Sequence, residues 1–484
     1  MLTLLGIIVV PLGIFWCFRL NATRLLYLFT AVTPLSAATI VEFNGSTFGM
    51  PPSFFIAILL IYVFLIRCFT HKSKILIGGA ERYYYLSFFI LWLYNLISLL
   101  FPAIFLLFRN SYYLFNPAFN DMNYASDIPS YTITQFVYFT FFLLTTFVIM
   151  NETTNLCVAK KILKIILGAA LFSAIWGVVF YILNITGVVV YPYWIFNNHP
   201  GYLQGYDQKF GILSRMSSVA QEPSVYGYFL AIMISMVLAL NVLDLYVLKP
   251  VGQKGLFFIL ILTAILTTST TAYIGILTSI MITILLAALF GLLRKALSYL
   301  FKQLIFISLI FVGLLSVVFN KIDLDLDAIR ESIYQLTILK SETGSGNERS
   351  ESFFHGIKLL SDTFYLGSGF ASNRNFDMGS TILANTGIIG LILFICSFGG
   401  AIAFSLFKTK MSVKLNSRLD DVNKIVISLV SALVTALVLM FISIPDFVNM
   451  YFWLILGLLM GMTRLISNNQ PPAPISLISN KLCR

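Results

Sequence analysis

The chain has 484 residues, 59% of them hydrophobic and only 11% charged, with a mean hydropathy of +0.91 and a net charge of +11. A soluble domain carries roughly 25% charged residues, so an ordinary soluble enzyme is excluded. The positive charge does not point to a nucleic-acid partner, because most of it sits in short connections between apolar runs, the pattern of a membrane protein. Five scattered cysteines (Cys17, Cys68, Cys157, Cys396, Cys483) show no metal-ligand spacing.

Many apolar runs approach the roughly 20 residues that cross a bilayer. In chain order the candidate spans are 2–17, 25–40, 54–69, 85–108, 133–150, 165–188, 225–242, 256–266, 273–293, 304–319, 382–407, 425–442 and 452–462. The expected fold is therefore all-α, a polytopic transmembrane helical bundle of about 13 spans. The first run lacks a basic start and a small-residue cleavage site, so it is expected to stay as a span. The segment 267–271 either separates two spans or breaks one helix. About 22 of the 31 Lys and Arg residues fall in one set of connections, which assigns that set to the cytoplasm. The N-terminus is then outside and the C-terminus inside.

Six regions follow: N-terminal spans (1–188), a first long outer loop (189–224), central spans (225–319), a second long outer loop able to fold as a small helical cap (320–381), C-terminal spans (382–466) and a Pro/Asn-rich cytoplasmic tail (467–484).

The outer loops carry the chemistry. In the first, Arg215 is followed by Glu222 at the mouth of an apolar run, with Pro223 suited to the first helical turn. A carboxylate there is costly in a membrane protein and marks a candidate site. In the second, Leu326, Ile329, Ile333 and Leu336 recur at helical spacing, which predicts an amphipathic helix. Gly344-Ser345-Gly346 is expected to end it, and Ser345 with Glu348 reads as a capping box opening another helix. Arg349 falls in that helix's first turn, where free N–H groups and a guanidinium together attract an anion. Glu351 and His355 share a face, Gly367-Ser368-Gly369 makes a turn, and Arg374 and Asp377 precede the next span.

These segments resemble the bacterial O-antigen polymerase/ligase superfamily, and within it the O-antigen polymerases more than the ligases. The resemblance rests on Arg215 through Glu222-Pro223-Ser224 to Gly227, on Asn347-Glu348-Arg349 through Leu366-Gly367-Ser368-Gly369, and on Leu383-Ala384-Asn385-Thr386-Gly387-Ile388-Ile389-Gly390. It covers roughly the middle half of the chain. It implies an inner-membrane glycosyltransferase of lipopolysaccharide or other polysaccharide biosynthesis. Such an enzyme joins oligosaccharide repeat units carried on undecaprenyl diphosphate at the outer face, among membrane lipids, with a chain-length regulator as a further partner. By that resemblance Arg215 and Arg349 hold diphosphate and sugar. Ligases carry a His just ahead of the Gly387-type motif; here that place falls near Phe376 or Asp377, which disfavours the ligase.

Each candidate has a plainer reading. Arg215 and Arg349 could clamp a diphosphate bidentately, or snorkel to headgroups. Glu222 could be the base, its pKa raised by partial burial, or the partner that holds Arg215. His355 and Asp377 are the second candidate bases, against a solvated surface His. Arg374, Tyr202 and Trp194 are candidate substrate contacts, although Trp and Tyr also belt every membrane interface. Asp323, Asp325 and Asp327 alternate by two, which does not put three ligands on one helix face, so no metal or cofactor is expected. The rivals are a ligase for finished polymer and a flippase for the same lipid-linked sugars. A transporter would place charge near the bilayer midplane, where these runs have almost none.

Overall fold

The computed structural model describes residues 1–42, 49–70, 80–107, 113–116, 121–124, 130–199, 209–210, 213–319, 344–416, 418–443 and 447–467. The helices are α1 (Leu4–Phe18), α2 (Ala22–Val32), α3 (Pro52–Phe69), α4 (Ala80–Ser98), α5 (Phe101–Leu107), α6 (Ser130–Glu152), α7 (Leu156–Ile185), α8 (Tyr193–Phe196), α9 (Pro223–Val242), α10 (Pro250–Leu266), α11 (Thr270–Leu289), α12 (Leu293–Phe319), α13 (Gly344–Asp362), α14 (Met378–Phe394), α15 (Gly400–Asn416), α16 (Asp421–Ile442) and α17 (Met450–Ser467). Among the described residues three two-stranded antiparallel pairs interrupt the helices: β1 (Val41–Glu42) with β2 (Gly49–Met50), β3 (Tyr113–Asn116) with β4 (Asp121–Tyr124), and β5 (Lys209–Phe210) with β6 (Leu213–Ser214).

Among the described residues seven helical segments are long and apolar enough to cross a membrane: Pro52–Phe69, Tyr131–Glu152, Leu156–Ile185, Pro223–Val242, Thr270–Leu289, Met378–Asn416 and Asp421–Ile442. Leu4–Phe18, Ala22–Val32, Pro250–Leu266 and Met450–Ile466 are shorter and apolar. The helix expected near 326–336, the aspartates Asp323, Asp325 and Asp327, the aromatic Tyr202 and the tail beyond 467 lie outside the described residues.

Helix α9 is the axis of the bundle, with 94% of its apolar window buried. It packs on α11 through small side chains. A Cβ on Gly227 would lie 2.9 Å from that of Ala272, and one on Gly275 would lie 2.4 Å from that of Ala231. Backbones approach this closely only where side chains are minimal, the usual device where lipid gives no hydrophobic drive for association. A hydroxyl chain ties in α16: Ser235 Oγ and Ser431 Oγ are 2.8 Å apart, and Thr435 Oγ1 donates to Ser235 Oγ at 2.9 Å.

The segment at 267–271 separates two antiparallel helices. Near its start α10 meets the far end of α9, where Gln253 Nε2 donates to Asn241 Oδ1 at 2.9 Å. At its end the Leu266 carbonyl lies beside Met216, ahead of α9. Thr268, at φ +45°, turns the chain back.

The bundle has two distinct ends. At one, Arg67 contacts both oxygens of Glu152 at 3.0 Å, Arg464 Nη2 donates to the Thr153 carbonyl at 2.9 Å, and Lys160 meets Asp421 at 2.5 Å. Lys295 pairs with Asp244 where α9 has ended. Helix α16 starts at Asp421 and runs 22 residues, about 33 Å at 1.5 Å per residue, to the other end. There Ser443 Oγ lies 2.9 Å from Thr271 Oγ1 at the start of α11.

At that second end two of the glycine motifs meet. Gly387 (φ +64°, ψ −162°) breaks α14. The break frees the carbonyls of Ala384 and Asn385, which accept from Ser368 N at 2.8 Å and Gly369 N at 2.7 Å. Ile388 N turns to the Tyr365 carbonyl at 3.1 Å. Gly367 (φ +85°) comes so close that a Cβ would lie 2.5 Å from the Asn385 carbonyl. The turn 367–369 is therefore a backbone patch over an opened helix, which keeps buried polar groups paired.

Candidate functional site

The irregular segment between β6 and α9 is buried from Met216 to Ala220 and needs outside partners for its backbone. Tyr181 donates to Ser214 O at 2.8 Å, Tyr191 to Ser218 O at 2.7 Å, and Asn197 Nδ2 to Ser218 O at 2.8 Å and Ala220 O at 3.1 Å. Tyr191 and Asn197 in the first long loop therefore hold this segment in place. The segment ends at Glu222, the N-cap residue of α9, whose side chain makes no capping bond to the helix backbone. Only Ser224 Oγ reaches its carboxylate among the described contacts, at 3.2 Å. Glu222 is exposed, so the expected partial burial is not found: Pro223 starts the helix directly behind it and turns the carboxylate outward.

Arg349 arrives from the second long loop. It is half-buried on α13, its guanidinium carbon 5.3 Å from the centre of the Phe376 ring. Among the described residues helix α13 runs from Gly344, so Gly344-Ser345-Gly346 is helical rather than a break.

One carboxylate, Glu222, acts electrostatically on both arginines. Burial lowers the pKa of Arg215, while Glu222 and then Tyr273 push it back up. Burial likewise lowers that of Arg349, opposed by Glu222 and then Asp377. A cleft of about 250 Å³ opens beside Arg349, lined also by Gly346, Thr270, Thr271, Ile274, Ile442 and Ser443. The starts of α9, α11 and α13 thus converge on Arg349, and neither α9 nor α11 has a side-chain cap. Helix N-termini carry partial positive charge and free N–H groups, which beside the Arg349 guanidinium favour an anion in this cleft.

The other expected residues are placed differently. Asp377 is the N-cap of α14, its Oδ1 accepting from Ser380 N at 2.8 Å and its Oδ2 from Ser380 Oγ. That is a structural task, which argues against its use as a base. His355 is half-buried further along α13 and lines neither this cleft nor the larger cavity. Arg374 is exposed and lines that second cavity, of about 460 Å³, rather than the Arg349 cleft. Trp194 is 65% exposed on α8 and stands apart from both. Among the described residues no group of His, Cys, Asp and Glu could hold a metal ion.

Sequence reasoning missed Phe376, Tyr273, Thr271 and Ser443. Phe376 stood out only as the place where ligases have a His, and a ring ahead of a span gives no other signal. Thr271 lay within the marked 267–271 junction.

The fold is that of a helical membrane protein, with a cleft beside Arg349 at one end of its bundle. No protein-family model matches the chain, and no curated protein matches it.

Proposed function

We propose that the chain is a lipid-carrier-dependent glycosyltransferase. It polymerises undecaprenyl-diphosphate-linked repeat units at the outer face of the cytoplasmic membrane. The observation that carries this reading is that Glu222 acts electrostatically on both Arg215 and Arg349, two guanidiniums from two different loops, with Arg349 lining a cleft beside the starts of α11 and α13. A departing diphosphate needs such fixed cations, and Arg grips phosphate oxygens in pairs.

Sidedness supports it. The ion pairs Arg67–Glu152, Lys160–Asp421 and Lys295–Asp244 join connections that the Lys/Arg pattern assigns inside. The bonds Thr271–Ser443, Tyr131–Ser372 and Thr39–Asn198 join connections assigned outside, on the side of the cleft.

In the reaction, a hydroxyl oxygen on the sugar end of the incoming unit attacks the anomeric carbon of the growing chain. The bond from that carbon to the diphosphate oxygen breaks, and its electron pair leaves with the lipid diphosphate. Arg215 and Arg349 neutralise the charge that develops. Glu222 takes the hydroxyl proton: its carboxylate is exposed and acts on the Arg349 guanidinium that lines the cleft, whereas both oxygens of Asp377 are held by Ser380.

The test is reconstitution in proteoliposomes with purified lipid-linked repeat units. A ladder of multimers is expected from the wild-type protein. Glu222→Gln keeps the shape and loses the basicity, and its turnover should fall about 10²–10⁴-fold, the usual worth of a general base. Transbilayer movement without a ladder would mean a flippase, and a full ladder from Glu222→Gln would remove Glu222 from the chemistry.

A further inference from the structure

Helix α13 closes on a turn whose backbone bonds are regular and whose residues are not. Tyr365 N donates to the Leu360 carbonyl at 2.9 Å and Phe364 N to the Ser361 carbonyl at 3.3 Å, the paired bonds of a Schellman C-cap. The left-handed position of such a cap is usually glycine. Here it is Phe364 (φ +51°), and Tyr365 after it is left-handed too (φ +63°). That backbone is unfavourable for side chains this bulky. The core does not take the rings in return: Phe364 is 65% and Tyr365 58% exposed, and Leu366 beside them is exposed as well. Phe364 meets the bundle at Phe105, with 6.5 Å between ring centres.

Two helices give the depth of this turn. Ile388 N donates to the Tyr365 carbonyl at 3.1 Å, which ties the turn to α14. From Ile388 to Phe407 there are 20 residues and no charge, and Lys408 follows. Twenty helical residues span about 30 Å, the thickness of the hydrocarbon core. With Lys408 at one boundary, Ile388 and the turn lie at the other. On α4, Arg82 is followed by 16 uncharged residues up to Ser98, about 24 Å of helix. A Cβ on Gly369, three residues past Leu366, would lie 2.9 Å from the Ser98 carbonyl oxygen and 2.8 Å from Pro102 Cδ. The end of α4 therefore brings the turn to the same level. Below it the exposed Ile388, Ile389 and Ile392 continue the apolar surface down α14.

We infer that Phe364, Tyr365 and Leu366 form a lipid anchor, seated where acyl chains meet headgroups on the cleft side of the bilayer. Aromatic rings collect at that level because an apolar body and a polar edge are both satisfied there. The patch runs without interruption into the exposed side of α14, a membrane-length segment, which makes lipid its neighbour rather than a second copy of the chain. Lipid contact offsets the backbone cost that a glycine would have avoided. Arg349 stands towards the other end of α13, so the anchor holds that helix, and the cleft beside it, against the membrane surface. Its bearing on a lipid-borne diphosphate rests on the function proposed above; the lipid contact does not, and is read without substrate.

The experiment uses the full-length protein in liposomes of phosphatidylethanolamine and phosphatidylglycerol. The photoreactive residue benzoylphenylalanine is placed singly at Phe364, Leu366, Ile392 or Glu351, and intact mass after irradiation reports lipid adducts. Ile392 on the span is the positive control, and Glu351, exposed higher on α13, the negative one. Yields at Phe364 and Leu366 should approach that at Ile392 and exceed that at Glu351 by about tenfold. Phe364→Gly combined with Tyr365→Asn suits left-handed backbone, so this variant should melt no lower than wild type in detergent while the Leu366 adduct falls several-fold. Yields at Phe364 and Leu366 no higher than at Glu351, with Ile392 labelled normally, would overturn the anchor. So would a cross-linked protein dimer in place of lipid adducts, or a Leu366 adduct unchanged in the double variant.

Discussion

Arg349→Ala should leave the protein folded and inserted while reducing polymer formation at least 10²–10³-fold, to single transferred units or none. That is the usual loss when one fixed donor to a developing anion is removed, and here the donor is also a full charge. The argument is local. Arg349 lies over Phe376 and beside the cleft, and both Glu222 and Asp377 act on its guanidinium. Among the described residues no other cation lines the cleft, so the variant would leave it without a fixed positive side chain. The check is multimer yield in proteoliposomes, paired with a melting curve. A normal ladder would remove Arg349 from the reaction. A collapsed melting curve would show a structural role instead, and Arg349→Lys then separates the two. A point charge keeps the electrostatics but not the paired grip, so that variant should melt normally and still be severely impaired.

Gly387→Ala is expected to destabilise the protein by about 4 kcal/mol or more, well beyond an ordinary substitution. Two effects add. A side chain at φ +64° is strained, by about 1–2 kcal/mol. Its Cβ would also sit 2.1 Å from the Tyr365 carbonyl oxygen, and backbone cannot give way as a flexible side chain could. Relief requires lifting the 365–369 turn away from α14, which strands the Ala384 and Asn385 carbonyls. Total stability is roughly 5–15 kcal/mol, so the expected readout is a much lower melting temperature and little recoverable protein. Gly168→Ala serves as control, since nothing lies within 4 Å of its Cβ position. Equal melting of the two variants would contradict the close docking of the turn.

The sequence made the helical membrane class readable because composition and run length suffice for it. It also marked Arg215, Glu222 and Arg349, since a charge at the mouth of an apolar run stands out against its surroundings. The glycine motifs at 367–369 and 387 were visible as separate signals, but their hydrogen bonding to each other was not. What hid most was which faces meet. In a membrane helix such as α9 every face is apolar, so periodicity does not distinguish the side against α11 from the side against α16. Only Gly227, Ala231 and Gly275 hinted at the closest contact. The larger cavity draws on Leu91, Phe142 and Phe394, on three different helices, and no local pattern joins them. Asp377 stood out only as a candidate base, although Asp three residues before Ser380 is also a helix-capping spacing, a task it performs.

The claim beneath all of this is that Arg215 and Arg349 grip one diphosphate together. It is measured most directly by the affinity of undecaprenyl diphosphate for the purified wild-type protein, Arg215→Ala, Arg349→Ala and the double variant. Both single variants should bind more weakly, and the double variant should depart from the sum of the two losses by about 0.5–3 kcal/mol, the coupling of groups that share a partner. Unchanged affinity in either single variant, or losses that simply add, would mean that the two guanidiniums do not hold the same ligand.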